Sequence, residues 1–396
     1  MTKLKFWLPA LILITGCSTA KNTVSTEEKI VDSSNASIEK RETAPENWHH
    51  LSYSHPYFVG IGTDSAYSTL LKGNTPKKEV IVAIIDSGTD IEHEDLADNI
   101  WINSDEIPNN NIDDDNNGYI DDIHGWNFIG GKDGENVDKD TYEITRVYVK
   151  LRDQYEGVDP NSLSATQLEE YENYLSIKEE LETEKINAQK NFQNLTQIKQ
   201  SLDIAKQLFN VSTIDSVSNE ELKLKSNDSP SLQQAKGMIK YFRDLDVAES
   251  DINAAYDQFD KFYNYAYNTD FDPRHIVGDD YEDLTNRFYG NNDVEGPRSD
   301  HGTHVAGIVG AVRNNTIGMD GIANNVKLMI LRAVPDGDER DKDIANAIRY
   351  AVENGADIVN MSFGKAYSPQ KSYVDEAMKF ADQNNVLLIN AAGNSG

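Results

Sequence analysis

At 396 residues, 38% of them hydrophobic and with a mean hydropathy of −0.60, the chain can build one large domain carrying an insertion, or two ordinary domains. Its 67 acidic against 37 basic residues leave a formal net charge of −30, which repels nucleic acid and favours divalent cations wherever carboxylates cluster. A single cysteine, Cys17, excludes any disulfide within the chain.

Lys3 and Lys5 precede an apolar run from Phe6 to Ile14, too short to span a bilayer permanently and suited to an export signal. The run ends in Ile14-Thr15-Gly16-Cys17, which resembles the bacterial lipoprotein signal. That resemblance implies lipidation of Cys17 and an exported protein tethered to the cell envelope. The other reading is an ordinary secretory signal (residues 1–17) with an incidental cysteine. Residues 18–46 are rich in Ser, Thr, Asn, Glu and Lys without periodicity and read as a flexible tether. Aromatic residues return at Trp48, and Asp64 to Leu71 could form a short helix.

Val80 to Ile85 is a continuous β-branched run, as expected of a parallel strand buried on both faces. It delivers Asp86 to the strand's C-terminal end, where open α/β sheets place their chemistry. A turn or helix-cap aspartate is the plainer reading of Asp86 taken alone. In residues 111–122, Asp113, Asp115, Asn117 and Asp121 alternate as in the first part of an EF-hand-type calcium loop, with Gly118 for the sharp turn. Tyr119 could add its carbonyl; His124 stands where a bidentate glutamate would close the loop, so other oxygens must complete it. The competing reading is a solvated acidic turn.

The character changes across residues 133–295. Thr166 and Glu169 read as a capping box. Phe192, Leu195, Ile198, Leu202, Ala205 and Phe209 then follow a three-four spacing. Ser229-Pro230 opens a further helix, and Ile252, Tyr256, Phe259 and Tyr263 mark a third. These predict an inserted α-helical bundle or hairpins, inert or serving as a lid.

His301-Gly302-Thr303-His304-Val305-Ala306-Gly307 then opens a buried helix, with Gly302 and Gly307 allowing close packing. Lys327–Val334 reads as a strand, Asp343 as the cap of the next helix, and Asp357–Met361 and Val386–Asn390 as strands around a helix at Val374–Asp382. The alternation predicts an α/β fold, a parallel sheet flanked by helices on both faces. Residues 47–132 and 296–396 would form it together, with 133–295 inserted.

His301 is a candidate general base, and because a helix N-terminus disfavours imidazolium, it needs a carboxylate such as Asp86. Zinc is the rival use of His301 and His304, but they lack the His-Glu-x-x-His arrangement. No Rossmann fingerprint or Walker loop occurs. Asp86-Ser87-Gly88, HGTHVAG at 301–307, Asn360-Met361-Ser362-Phe363-Gly364 and Ala391-Ala392-Gly393-Asn394, in that order, resemble the subtilisin-like serine proteases. The resemblance covers 80–126 and 300–396, a little over a third of the chain, and excludes the helical insertion.

It implies a subtilisin-like fold and endopeptidase chemistry, with Asp86 as orienting acid, His301 as general base and Asn394 as oxyanion donor. Ser362, Phe363 and Gly364 would line up an extended protein or peptide substrate. It also implies a second calcium site, with Asp95 and Asn315 as side-chain ligands and Ile317 and Met319 as carbonyl donors; that loop carries one extra residue. The family's nucleophile lies in Gly-Thr-Ser-x-Ala, and Gly-Thr-Ser occurs nowhere in these residues. The 396 residues are therefore expected to be an N-terminal fragment, inert by itself; the alternative is a catalytically dead peptide-binding protein.

Overall fold

The computed structural model describes residues 43–55 and 57–394. Cys17, the signal, nearly all of the tether and Ser395 lie outside the described residues.

A short α1 (Thr63–Ser65) and its continuation Ala66–Leu70 precede β1 (Val80–Asp86). After β2 (Gly125–Asn127) come α2 (Glu143–Tyr155), α3 (Ala165–Phe209), α4 (Pro230–Asp244), α5 (Glu249–Lys261) and α6 (Arg274–Val277). Then follow α7 (Asp300–Gly310), β3 (Val326–Arg332), α8 (Asp341–Glu353), β4 (Ile358–Met361), α9 (Lys371–Gln383) and β5 (Leu387–Asn390). The five strands form one parallel sheet in the order β2-β3-β1-β4-β5.

The β-branched run of β1 is buried because helices cover both sheet faces. Ala83 and Ile85 pack with Met329, Leu331 and Val359 against Ile344, Ile348, Ala377 and Ala381 of α8 and α9. Val82 and Ile84 pack with Leu328 and Ile330 against Leu96, Ile100 and Ala306. Side chains alternate across a strand, so one apolar run serves both layers.

The helices between β2 and α7 have a core of their own. Leu195, Leu202 and Ala205 of α3 meet Ala235, Ile239 and Phe242 of α4 and Ile252 of α5. Tyr174, Leu181, Ala188, Leu195 and Leu202 are all buried at seven-residue intervals along α3, the repeat that keeps one stripe facing its partners. Ile177 and Leu181 meet Ile144 of α2. Among the described residues no helix is long and apolar enough to cross a membrane.

Three local expectations are corrected. The capping box at α3 is Ser164 with Gln167, not Thr166 with Glu169; the helix starts at Ala165, which puts Thr166 inside its first turn. Asp343 is not a cap, because α8 starts at Asp341 and turns the Asp343 carboxylate onto Arg274, at 2.7 and 3.0 Å. Gly307 is not needed for close packing, since a Cβ there would meet only Met319 Sδ at 4.0 Å; the tight position is Gly310, 2.7 Å from Val326.

Gly302 is required. A Cβ at this position would lie 1.9 Å from the Gly88 carbonyl oxygen, so the histidine helix rests directly on the loop after Asp86. Gly302→Ala is expected to lower stability by about 3 kcal/mol, since backbone faces the new methyl. Gly307→Ala should cost nothing or stabilise by up to about 1 kcal/mol, through helix propensity. Urea midpoints of the two variants check this; equal midpoints would contradict the packing.

Candidate active site

Asp86 closes β1 at 2% exposure, and His301 is the second residue of α7. Their side chains meet with His301 Nδ1 2.7 Å from Asp86 Oδ1, which also accepts the Ser87 N–H at 2.8 Å. Two residues 215 apart in sequence are thus held in contact by a strand end and a helix start. The carboxylate is buried, the imidazole more than half exposed. His301 Nε2 has no hydrogen-bond partner among the described residues, so it is free toward the cleft. A proton on Nδ1, fixed by Asp86, leaves Nε2 with the lone pair a base requires.

The acid loop is held from two sides. Thr303 Oγ1 accepts the Asp90 N–H at 2.9 Å, and Arg332, paired in register with Asp86, donates to the Ser87 carbonyl at 2.9 Å. Arg332 is 1% exposed and also donates to Asn127 Oδ1 and the Val137 carbonyl. All three acceptors are neutral, and burial lowers the guanidinium to about 10. Nothing in the sequence of Lys327–Val334 marks Arg332 as buried, since its partners Ser87, Asn127 and Val137 all lie about 200 residues or more away.

A cleft of about 250 Å³ opens on Asp86 and His301, with Val334, Pro335 and Asp336 on one wall and Ser362 and Phe363 on the other. Ser362 Oγ is engaged by Asn360 Nδ2 at 3.0 Å, and has no contact with His301 among the described hydrogen bonds. Gly364 is exposed beside it. Asn394 is exposed after Gly393, which sits at φ 86°, and does not line this cleft.

The acidic loop departs from the expected ligand set. Carboxylate oxygens of Glu106, Asp113 and Asp115 lie within 4.8 Å of one another. Asp121 does not join them: at φ 54° its carboxylate turns back and accepts the N–H groups of Asn110 at 3.0 Å and Asn111 at 2.9 Å. Asn117 stays at the site's edge, donating from its amide to Asp115 and Asp122. Glu106 reaches in from outside the loop and accepts from Asp114, Asp115 and Asp121 N–H groups. No local pattern announces it. Three converging carboxylates fit a hard divalent cation. The second expected pair also meets, with Asn315 Nδ2 2.7 Å from Asp95 Oδ1 and the Met319 N–H 2.9 Å from Asp95 Oδ2.

Glu339, on the loop after the cleft wall, is buried, which raises its carboxyl from an ordinary 4.5 to about 7. The folded chain therefore keeps a proton there that the unfolded chain sheds. By linkage, this group's contribution to stability falls as pH rises from about 4.5 to about 7, and is flat above. Glu339→Gln should remove that slope, read from urea midpoints across the window; an unchanged slope would contradict it.

A family model described as the subtilase family matches residues 77–396. The thermophilic serine proteinase of Bacillus sp. (strain AK1) is 37% identical over 99 residues, 25% of this chain and 24% of that protein. The major intracellular serine protease of Bacillus subtilis (strain 168) is 36% identical over 128 residues, 29% of this chain and 39% of the relative. Thermitase of Thermoactinomyces vulgaris is 32% identical over 110 residues, 28% and 39% respectively. The chain thus spans between about a quarter and two fifths of the length of these three relatives. Among solved structures, the prenylagaramide maturation protease PagA is 34% identical, covers 24% of this chain and 35% of its own, and has a TM-score of 0.21.

Proposed function

We infer the reaction from kinship and geometry together: this chain belongs to the subtilase family, and its Asp86–His301 pair is the acid–base half of a serine-type endopeptidase. The 2.7 Å contact between His301 Nδ1 and the buried Asp86 carboxylate carries the reading. His301 Nε2 takes the proton from an attacking serine hydroxyl, and Asp86 stabilises the imidazolium that forms. Kinship alone, since Asn394 lies outside the lining of the cleft, gives this residue the role of amide donor to the developing oxyanion. Residues 362–364 hold protein or peptide substrates in extended form, through a sequence-tolerant strand edge. The peptidase unit comprises 47–132 and 296–396, interrupted by 133–295, and Cys17 anchors it to the bacterial envelope through lipid.

Gly-Thr-Ser is not among these 396 residues, so the test uses the product of the complete reading frame. A fluorophosphonate should label one serine of that product, and the label should vanish in His301→Ala. The 396-residue polypeptide alone should remain unlabelled. Peptide binding without any labelling of the complete product would instead establish the catalytically dead alternative.

Calcium is the proposed structural cofactor. Glu106, Asp113 and Asp115 would hold one ion, which would offset the repulsion among their three carboxylates, and Asp95 with Asn315 a second. At calcium a hundredfold above its Kd, one site should add about 2.7 kcal/mol of stability, lost on chelation. Glu106→Gln should abolish most of the melting-temperature difference between calcium and chelator. An undiminished difference in that variant would exclude the first site.

A further inference from the structure

The helical insertion is built into the substrate cleft. The two walls of the cleft, Val334–Asp336 and Ser362–Phe363, run on in sequence into Gly337–Asp341 and Gly364–Gln370. None of these following residues lines the cleft, and the two segments are stapled to each other. Lys365 Nζ donates across to the Glu339 carbonyl at 2.7 Å and lies 2.8 Å from Asp341 Oδ1. Asp341 also accepts from Ser368 Oγ at 3.0 Å and the Gln370 N–H at 2.8 Å. The third partner of Lys365 is Glu143 in the first turn of α2, at 2.7 Å.

The staple is dry: the side chains of Lys365, Glu143 and Asp341 are 6%, 2% and 3% exposed. Arg146 locks Glu143 in place at 2.6 Å and donates to the Asp338 and Glu339 carbonyls at 3.1 and 3.4 Å. Burial alone would raise Glu143, but Arg146 and Lys365 outweigh it and hold the carboxyl below its usual range. The insertion adds a strand-like edge as well. The Asp336 N–H donates to the Asp138 carbonyl at 2.8 Å, and the Asp338 N–H to that of Thr141 at 3.4 Å. The backbone of one wall is therefore already paired with the insertion's first residues, and Asp138 among them itself lines the cleft.

We propose that the Lys365–Glu143 staple closes one end of the cleft, so that the protein takes peptides whose length on that side is limited to a few residues. This rests on the peptidase reading and deepens it: the insertion decides substrate length rather than riding along as an inert surface feature. A closed end discriminates by exclusion, which rejects the longer ligand without needing tighter contacts to the shorter one.

The test measures binding, so it is independent of turnover. It uses the complete reading-frame product carrying His301→Ala, with three fluorescent capped peptides: Ala-Ala-Phe, and the same core lengthened by four alanines at the amino or at the carboxyl end. Lengthening at one end should weaken binding at least about tenfold, about 1.4 kcal/mol, while lengthening at the other changes it less than about twofold. Lys365→Met combined with Glu143→Gln should bring the refused peptide within about threefold of the core. Should that pair fail to fold, Lys365→Arg, which keeps the charge but not the fit, should narrow the gap. Equal tolerance of both extensions, a gap unchanged in the folded variants, or no binding of any of the three peptides would each overturn the proposal. Fluorophosphonate labelling of the protein with His301 intact reports separately on the peptidase reading.

Discussion

Replacing His301 with alanine in the complete reading-frame product is expected to cut kcat/KM for a chromogenic peptide by at least about 10⁴-fold, with no change in the urea midpoint beyond about 0.5 kcal/mol. The scale is the one known for subtilisin itself, a member of the same family. His301 is more than half exposed and touches its surroundings chiefly through one bond to Asp86, so little fold stability depends on it. Asp86→Asn should cost less than the histidine change. The acid does not exchange a proton with substrate; it selects the tautomer and stabilises the imidazolium, and the base is still present without it. The two losses should not add: His301→Ala with Asp86→Asn should be no slower than His301→Ala alone, because Asp86 acts only through the ring. Steady-state rates with the four proteins settle it. Activity in His301→Ala within tenfold of the parent would remove the imidazole from the mechanism.

The parts of this molecule that were legible in its sequence are those where one physical rule governs a whole stretch. Val80–Ile85 announces a doubly covered strand because both faces need apolar side chains, and the sheet has it at the centre. The fold class followed from the alternation of such strands with amphipathic helices. Asp86 and His301 could be placed near one another from the motif order, and their side chains are in contact. Illegible residues were those whose partners follow no regular spacing or lie far away in sequence. Glu106 has no spacing relation to Asp113 and Asp115 that marks it as their neighbour. Arg340-Asp341-Lys342-Asp343 sets four charged residues in a row with no apolar residue among them, yet all four are at most 4% exposed. Burial of such a run depends on partners delivered by the insertion, Asp140, Asp272, Arg274 and Asp279 among them, and these cannot be guessed from local composition.

That buried run carries the largest stability effect to be expected. Arg274 makes two bidentate contacts, with Asp279 at 2.6 and 2.8 Å and with Asp343 at 2.7 and 3.0 Å, while Lys342 reaches Asp279 at 2.6 Å. Two cations and two carboxylates therefore balance inside the protein, and the Tyr289 hydroxyl donates to Asp343 at 2.6 Å. Asp343→Ala leaves a net positive charge in that space and strips Arg274 of half its acceptors. Breaking a buried pair from one side costs about 3–5 kcal/mol, because the survivor can be neither solvated nor neutralised. Asp343→Asn keeps one acceptor oxygen and should cost less. Lys342→Met with Asp343→Asn removes one charge of each sign, and should recover part of the loss, a coupling that a double-mutant cycle would read directly. Arg274 lies at the exit of the insertion and Asp343 on the helix beneath the sheet. Amide exchange in Asp343→Ala should therefore accelerate first across 272–281, where the insertion rejoins the sheet domain, before the β1 amides are affected. If the alanine variant unfolds within about 1 kcal/mol of the parent, or loses β1 protection first, this charge cluster does not join insertion to core.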